Sequence, residues 1–194
     1  MPSSMVHLIT AYKYNPNLSA EFWVGNIAPD SIIDWKERDK YHLRNEHDRQ
    51  IALIEFAKSV EKDDWFSEGI LLHLFVDWKW DEDMRQQFIH NHSSDDWFLP
   101  YRNEIGLLSA RLYHYHDWSK RIWEDMIGCN IFKYIKTDVI RVENIIDFLN
   151  RANNYHIKNP LAQPLFYSIE AIEEFTSKVV KDYDTWRSSI LNRI

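Results

Sequence analysis

The residues best suited to chemistry in this chain are a histidine and an aspartate four positions apart, His73 and Asp77. Their segment, from Gly69 to Asp77, is otherwise apolar, which predicts a buried helix. Side chains four apart on a helix point the same way, so both can bind one ion. A buried carboxylate is costly unless a cation or a strong donor compensates it. The pair therefore indicates either a metal site or an ion pair with a lysine or arginine.

A metal site needs two or more further ligands from elsewhere in the chain. Zinc takes imidazole nitrogen and carboxylate oxygen in four- or five-coordinate shells, and iron and manganese accept similar donors. His7, Asp30 and His42 are the candidates, because each lies beside a predicted helix start or break that can direct its side chain inward. The sequence thus predicts a cation shared by five side chains.

Helices must position these residues. The chain has only 4 Gly and 6 Pro in 194 residues, too few for the turns of a sandwich or barrel, and its apolar residues recur at three- and four-residue intervals. We therefore expect an all-α, compact multi-helix bundle that forms a single domain over residues 1–194. The predicted helices are Met5 to Tyr14, Ala20 to Ile27, Asn45 to Val60, Trp65 to Trp80, Asp81 to Asn91, Tyr101 to Ile127, Val139 to Asn153 and Ile169 to Leu191.

Charge and composition narrow the choice of partners and compartment. A net charge of -7 argues against nucleic acid as a partner. No apolar run is long enough for stable membrane insertion, and the first residues do not have the pattern of a signal peptide. The single cysteine, Cys129, cannot form an internal disulfide. A cytoplasmic location is expected.

Four pieces of the sequence together resemble the zinc-dependent phospholipase C family: His7-Leu8, the segment Phe22 to Asp30, Tyr41-His42, and the segment Gly69 to Asp77. The match covers about residues 5 to 81, and its order and spacing are more specific than any piece alone. The resemblance implies the all-helical fold of zinc-dependent phospholipase C and P1 nuclease. It also implies that Asp30, His42, His73 and Asp77 hold a first zinc ion, and that His7 and Asp77 hold a second, with Asp77 bridging the two.

The chain departs from that family in two places. In secreted members the mature chain begins with a tryptophan that binds zinc through its amino group and carbonyl, whereas here six residues precede His7, so the second ion is expected to have fewer ligands. For the family's third ion, Trp80 and Asp81 stand where a histidine is expected. His114 is the remaining candidate ligand, because it lies three residues before Asp117 and can share a helix face with it.

These observations predict a metal-dependent hydrolase that uses one or two ions, zinc or else iron or manganese, to activate water. Its expected substrate is a small-molecule or lipid-derived phosphoric ester, with Asp30 as the candidate general base. A first alternative is a phosphohydrolase of the HD type, centred on His116-Asp117, with Asp138 or Asp147 as a later ligand. A second is a non-catalytic bundle with a structural metal site. The remaining histidines, His47, His90, His92 and His156, are expected to be solvated.

Overall fold

The computed structural model describes residues 1–92, 96–131, 134 and 139–191, and the regular elements within these ranges are all helical. This confirms the all-α prediction. No described helix is both long and apolar enough to cross a membrane. A 3₁₀ turn over Ala28–Ser31 follows the second of ten α-helices: α1 Ser4–Tyr14, α2 Ala20–Gly25, α3 Trp35–Tyr41, α4 Arg49–Ser59, α5 Trp65–Glu82, α6 Met84–Asn91, α7 Phe98–Tyr115, α8 Ser119–Gly128, α9 Val142–Lys158 and α10 Ile169–Leu191.

Side-chain caps explain where several of these helices begin. The Ser3 hydroxyl accepts a hydrogen bond from the amide of Val6 at the start of α1. Asp48 and Asp64 accept in the same way at the starts of α4 and α5. Each cap satisfies an amide that has no partner inside its own helix. These caps therefore help to define the first residues of α1 and α5. Together these two helices carry three of the candidate ligands.

Helix α5 is the centre of the bundle. It contacts α1, α2, α4, α6 and α10, and its buried residues lie on all sides rather than on one stripe. A helix that is apolar around most of its circumference is stable only when other elements cover it. His73 and Asp77 are therefore held inside the protein by the burial of their apolar neighbours.

Two glycines allow α2 and α5 to approach at backbone distance. A Cβ atom on Gly25 would overlap the carbonyl of Phe66, and one on Gly69 would overlap the carbonyl of Phe22 and lie 2.8 Å from the amide of Asn26. The Asn26 side chain joins the same contact by donating to the Gly69 carbonyl over 3.2 Å. This approach brings the chain that leads to Asp30 against the helix that carries His73.

One predicted helix is wrong in its extent. The helix predicted from Tyr101 to Ile127 is two helices, α7 and α8, because the chain leaves helical geometry at His116. The short helix α3 is not among the predicted helices, and none of its residues is buried. Within α4, Leu53 is buried, whereas Ile51 is 54% exposed.

His156 is buried, which corrects the expectation that it is solvated. Only 2% of the residue is exposed, and its Nε2 lies 2.8 Å from the Ser109 hydroxyl. Burial, with a smaller contribution from the nearby His114, lowers the pKa of His156 to about 3. His156 is therefore neutral at neutral pH.

We expect His156 to make folding pH-dependent. Its pKa falls from about 6.5 in the unfolded chain to about 3 in the folded protein. The unfolded state therefore binds more protons between these values, and the stability is complete above pH 6.5 and is lost as the pH falls towards 3. In urea unfolding between pH 7 and 4, His156→Gln should reduce the pH slope by up to about 1.4 kcal/mol per pH unit. The exposed His90→Gln serves as control, and equal slopes in both variants would refute the assignment.

Candidate metal centre

Five side chains that are far apart in the sequence meet beside α5, and we call them the His/Asp cluster: His7, Asp30, His42, His73 and Asp77. His42 Nε2 lies 3.5 Å from Asp30 Oδ1 and 3.3 Å from Asp77 Oδ2. His7 Nε2 lies 3.7 Å from Asp77 Oδ1, and its ring stacks on that of His73 with the centroids 3.9 Å apart. Two helices (α1 and α5), the 3₁₀ turn and the end of α3 therefore deliver donors to one small volume.

The hydrogen bonds of the Nδ1 atoms determine the tautomers of His42 and His73. His73 Nδ1 lies 2.8 Å from the carbonyl of Asn26, and His42 Nδ1 lies 2.6 Å from the carbonyl of Arg38. A carbonyl only accepts, so each Nδ1 carries a hydrogen, and in a neutral ring Nε2 then presents a lone pair. Metal-binding histidines are commonly held by such an outer hydrogen bond.

The two inner nitrogens face each other. His42 Nε2 and His73 Nε2 are 3.0 Å apart. With a hydrogen on both Nδ1 atoms, two neutral rings place lone pair against lone pair, which is repulsive. The approach becomes favourable when a cation, either a proton or a metal ion, is shared between the two nitrogens.

Several buried atoms of the cluster have no hydrogen-bond partner among the described residues. They are both ring nitrogens of His7, Asp30 Oδ1 and Asp77 Oδ1. A buried polar atom without a partner costs about 1–3 kcal/mol, so four of them in one volume are unusual. Their nitrogens and oxygens are ligand atoms that divalent metals accept.

The geometry is compatible with two overlapping sets of ligands. In one set the ligand atoms of His42, His73 and Asp77 lie within 4.8 Å of one another, and in the other those of His7, Asp30 and His73 do. A cation can draw three such donors together with small side-chain movements. The structure thus brings together all five residues that the sequence predicted from the first 77 positions.

Burial and neighbouring charges set the ionisation of the cluster. Burial lowers the pKa of His73 to about 3, and it also lowers the pKa of His7, so both rings are neutral at neutral pH. Burial by itself would raise the pKa of Asp30, but the contact with His42 outweighs it and the pKa falls to about 2. The pKa of Asp77 is lowered as well, by His42 and Arg44 against the effect of burial. The cluster therefore offers the neutral imidazoles of His7 and His73 and two ionised carboxylates.

Arg44 is a basic neighbour that the sequence analysis did not identify. Its Nη2 lies 3.2 Å from Asp77 Oδ2, while its Nη1 and Nε contact Asp39 and Asp81. Of the two compensations considered for Asp77, the arginine is therefore present at one oxygen, and the histidines around both oxygens are candidate ligands for the other, a metal ion. Because Asp77 Oδ1 has no hydrogen-bond partner in the part of the chain that the structure describes, Arg44 alone does not satisfy this carboxylate.

A strained turn directs the side chains of both His42 and Arg44 towards Asp77. α3 ends with bonds from the Leu43 amide to the Lys40 carbonyl and from the Arg44 amide to the Asp39 carbonyl, both 3.0 Å. This is the pattern of a Schellman motif, which usually has glycine in the left-handed position. Here Leu43 occupies it with φ 57°, a conformation that costs free energy in a residue with a side chain. The surroundings must hold this turn in place.

The first residue also lies near the cluster. The Tyr101 hydroxyl donates to the carbonyl of Met1 over 2.9 Å. Burial lowers the pKa of the Met1 amino group, and Asp77 partly opposes that change. The Met1 amino group is therefore within electrostatic range of Asp77.

The later histidines lie apart from this cluster. His114 is exposed, and its Nε2 lies 2.8 Å from the carbonyl of His156. His116 Nε2 lies 3.1 Å from Glu173 Oε1, and the exposed Asp147 pairs with Arg151. Asp138 lies outside the described residues. Neither His114 nor His116 belongs to a set of converging ligand atoms in the part of the chain that the structure describes.

Comparison with known proteins assigns nothing to this geometry. No protein-family model, no curated protein and no solved structure matches the chain.

Proposed function

We propose that the protein is a metal-dependent hydrolase that acts on a phosphoric ester. The observation that carries the proposal is the 3.0 Å approach of His42 Nε2 to His73 Nε2 while both Nδ1 atoms donate to carbonyls. The unpaired atoms of His7, Asp30 and Asp77 around this pair support it, since they supply further donors of the kinds that zinc prefers. Zinc is the first choice of metal, with iron or manganese as alternatives.

The roles of the ligands follow from their positions. His42, His73 and Asp77 would hold one ion, and His7 with Asp30 would complete its shell or help to hold a second. A divalent ion in this position supplies Lewis acidity, which lowers the pKa of a water towards neutrality and polarises phosphoryl oxygens. This donor set and the order of its members along the chain also support our proposal of a fold related to zinc-dependent phospholipase C and P1 nuclease.

Asp30 has a special place among the five residues. Its side chain is 7% exposed, whereas those of His42, His7, His73 and Asp77 are fully buried. Among the five residues, Asp30 is therefore the one that water would reach most readily. A pKa of about 2 favours a role for Asp30 as a ligand over a role as general base, because a carboxylate this acidic binds protons weakly.

A structural metal site without catalysis is the second candidate function. The deep burial of the cluster favours it, because catalytic zinc keeps one coordination position open to water or substrate. The HD-type alternative receives no comparable support, since His116 faces Glu173. We place the protein in the cytoplasm in this proposal, on the basis of its single cysteine.

An activity assay with metal removal and return tests the proposal. Protein purified without chelator should contain about one or two divalent ions per chain and hydrolyse p-nitrophenyl phosphate or its bis ester. Dialysis against chelator should abolish hydrolysis, and zinc, manganese or iron(II) should restore it. A metal content near zero, with no uptake of added metal, would refute the proposal. Full metal content and a chelator-sensitive melting temperature without hydrolysis would favour the structural site instead.

A further inference from the structure

Three arginines converge on a single carboxylate next to the His/Asp cluster. Arg44 Nε and Arg49 Nη1 lie 3.1 Å and 2.9 Å from the same oxygen, Asp81 Oδ2, and Arg85 Nη1 lies 3.3 Å from Asp81 Oδ1. Asp39 is a second acid in this group, through its contact with Arg44. Three guanidinium groups therefore face the carboxylates of Asp39, Asp81 and Asp77, and Asp77 is shared with the histidines of the cluster.

The arginines carry N–H donors that their contacts with the carboxylates do not use. A guanidinium carries five N–H donors, and the contacts of Arg44 to Asp39, Asp77 and Asp81 engage its three nitrogens once each. Arg49 contacts Asp81 through Nη1, while its Nη2 is buried and has no hydrogen-bond partner among the described residues. Like charges brought close together, with a buried donor unpaired, indicate that a further acceptor belongs here.

This acceptor would lie beside the cluster and within reach of solvent. Arg44 Nη2 contacts Asp77 Oδ2, the same oxygen that lies 3.3 Å from His42 Nε2. The side chains of Arg44, Arg49 and Arg85 are 18%, 15% and 31% exposed, in contrast to the buried imidazoles. An anion bound by the arginines could therefore extend from the surface towards the proposed metal position.

We infer that Arg44, Arg49 and Arg85 form a binding subsite for the dianionic phosphate of a phosphomonoester. The planar fork of a guanidinium matches two oxygens of a phosphate, and charge-assisted hydrogen bonds of this kind are strong. A terminal phosphate presents three oxygens and two charges to this group, whereas a phosphodiester presents two oxygens and one charge. The inference deepens the proposed function by naming the substrate class, but the binding itself depends only on the arginines.

The test measures phosphate binding rather than turnover. Isothermal titration with inorganic phosphate is carried out on metal-free protein, and p-nitrophenyl phosphate and its bis ester are compared in the same way. Arg49→Gln should weaken phosphate binding by about tenfold, and Arg49→Lys, which keeps the charge, should restore part of it. Arg121→Gln is the matched control, because Arg121 is 60% exposed and forms its ion pair with Asp125 on its own helix. The monoester should bind more tightly than the diester.

The outcomes separate this inference from the proposed function. Phosphate binding that depends on Arg49 in protein unable to bind metal would support the subsite and refute the hydrolase. Metal binding with phosphate affinity equal in wild type, Arg49→Gln and Arg121→Gln would overturn the subsite and leave the hydrolase standing. Tighter binding of the diester would overturn the assignment to a phosphomonoester. Melting temperatures of all variants show whether a loss of binding reflects a loss of folding.

Discussion

Replacement of His73 by alanine is expected to weaken zinc binding by at least about a hundredfold, since even outer-shell partners of a metal ligand typically contribute ten- to a hundredfold. The reason is its position, because His73 belongs to both sets of converging ligand atoms. Its ring also supports His7 by stacking and faces His42 across 3.0 Å. No other residue of the cluster belongs to both sets.

The measurement is the metal content by elemental analysis, together with zinc titration of metal-free protein. His116→Ala is the control, since His116 faces Glu173 outside the cluster, and it should retain the metal. Because alanine at a fully buried position leaves a cavity, His73→Gln is measured alongside it, with circular dichroism to confirm folding. Wild-type zinc affinity in folded His73→Ala would refute the metal centre, and loss of metal in His116→Ala would support the HD-type alternative.

Replacement of Gly69 by alanine is expected to reduce the free energy of unfolding by about 3 kcal/mol or more. The added methyl group would overlap the Phe22 carbonyl and lie 2.8 Å from the Asn26 amide, and backbone atoms cannot move aside as side chains do. For a chain of this size the loss corresponds to a fall in melting temperature of about 6 to 12 °C. Separation of α2 from α5 should also displace the Asn26 carbonyl from His73, so zinc affinity should fall too.

Gly128→Ala is the matched control for this experiment. A Cβ at Gly128 meets no atom within 4 Å, and the residue is the last of α8. Alanine is the better helix former, so this variant should be unchanged or up to about 1 kcal/mol more stable. Urea unfolding gives both values, and equal stability of the two variants would show that the approach of α2 to α5 is not as close as described.

Some helix boundaries were not predictable because tertiary contacts create them. The break between α7 and α8 contains neither glycine nor proline. There Trp118 stacks on Tyr12 of α1 with centroids 4.3 Å apart, and His116 packs against Trp118. The end of α3 is likewise not marked in the sequence, because Leu43 occupies the left-handed position in which glycine is usual. In both places packing outweighs local preference.

The residues that contact the His/Asp cluster were likewise not predictable from the local sequence. Asn26 and Arg38 take part through backbone carbonyls, which every residue has, so their side chains carry no signal. Arg44 lies two positions after His42, a spacing that becomes meaningful only through the turn at Leu43. His156 gives no local sign of burial, since its partner Ser109 is 47 residues away.

The sequence by itself determined the helical class, the central buried helix and the pairing of His73 with Asp77, because all three follow from local periodicity and the geometry of one helix. It also supplied the other three members of the cluster as candidates, although their convergence stayed a prediction. Only the tertiary structure decided that His7, Asp30 and His42 meet this helix, that Arg44 shares Asp77 with them, and that His114 stays apart. Distances between segments depend on how whole helices pack, and packing is a property of all contacts together rather than of any short stretch of residues.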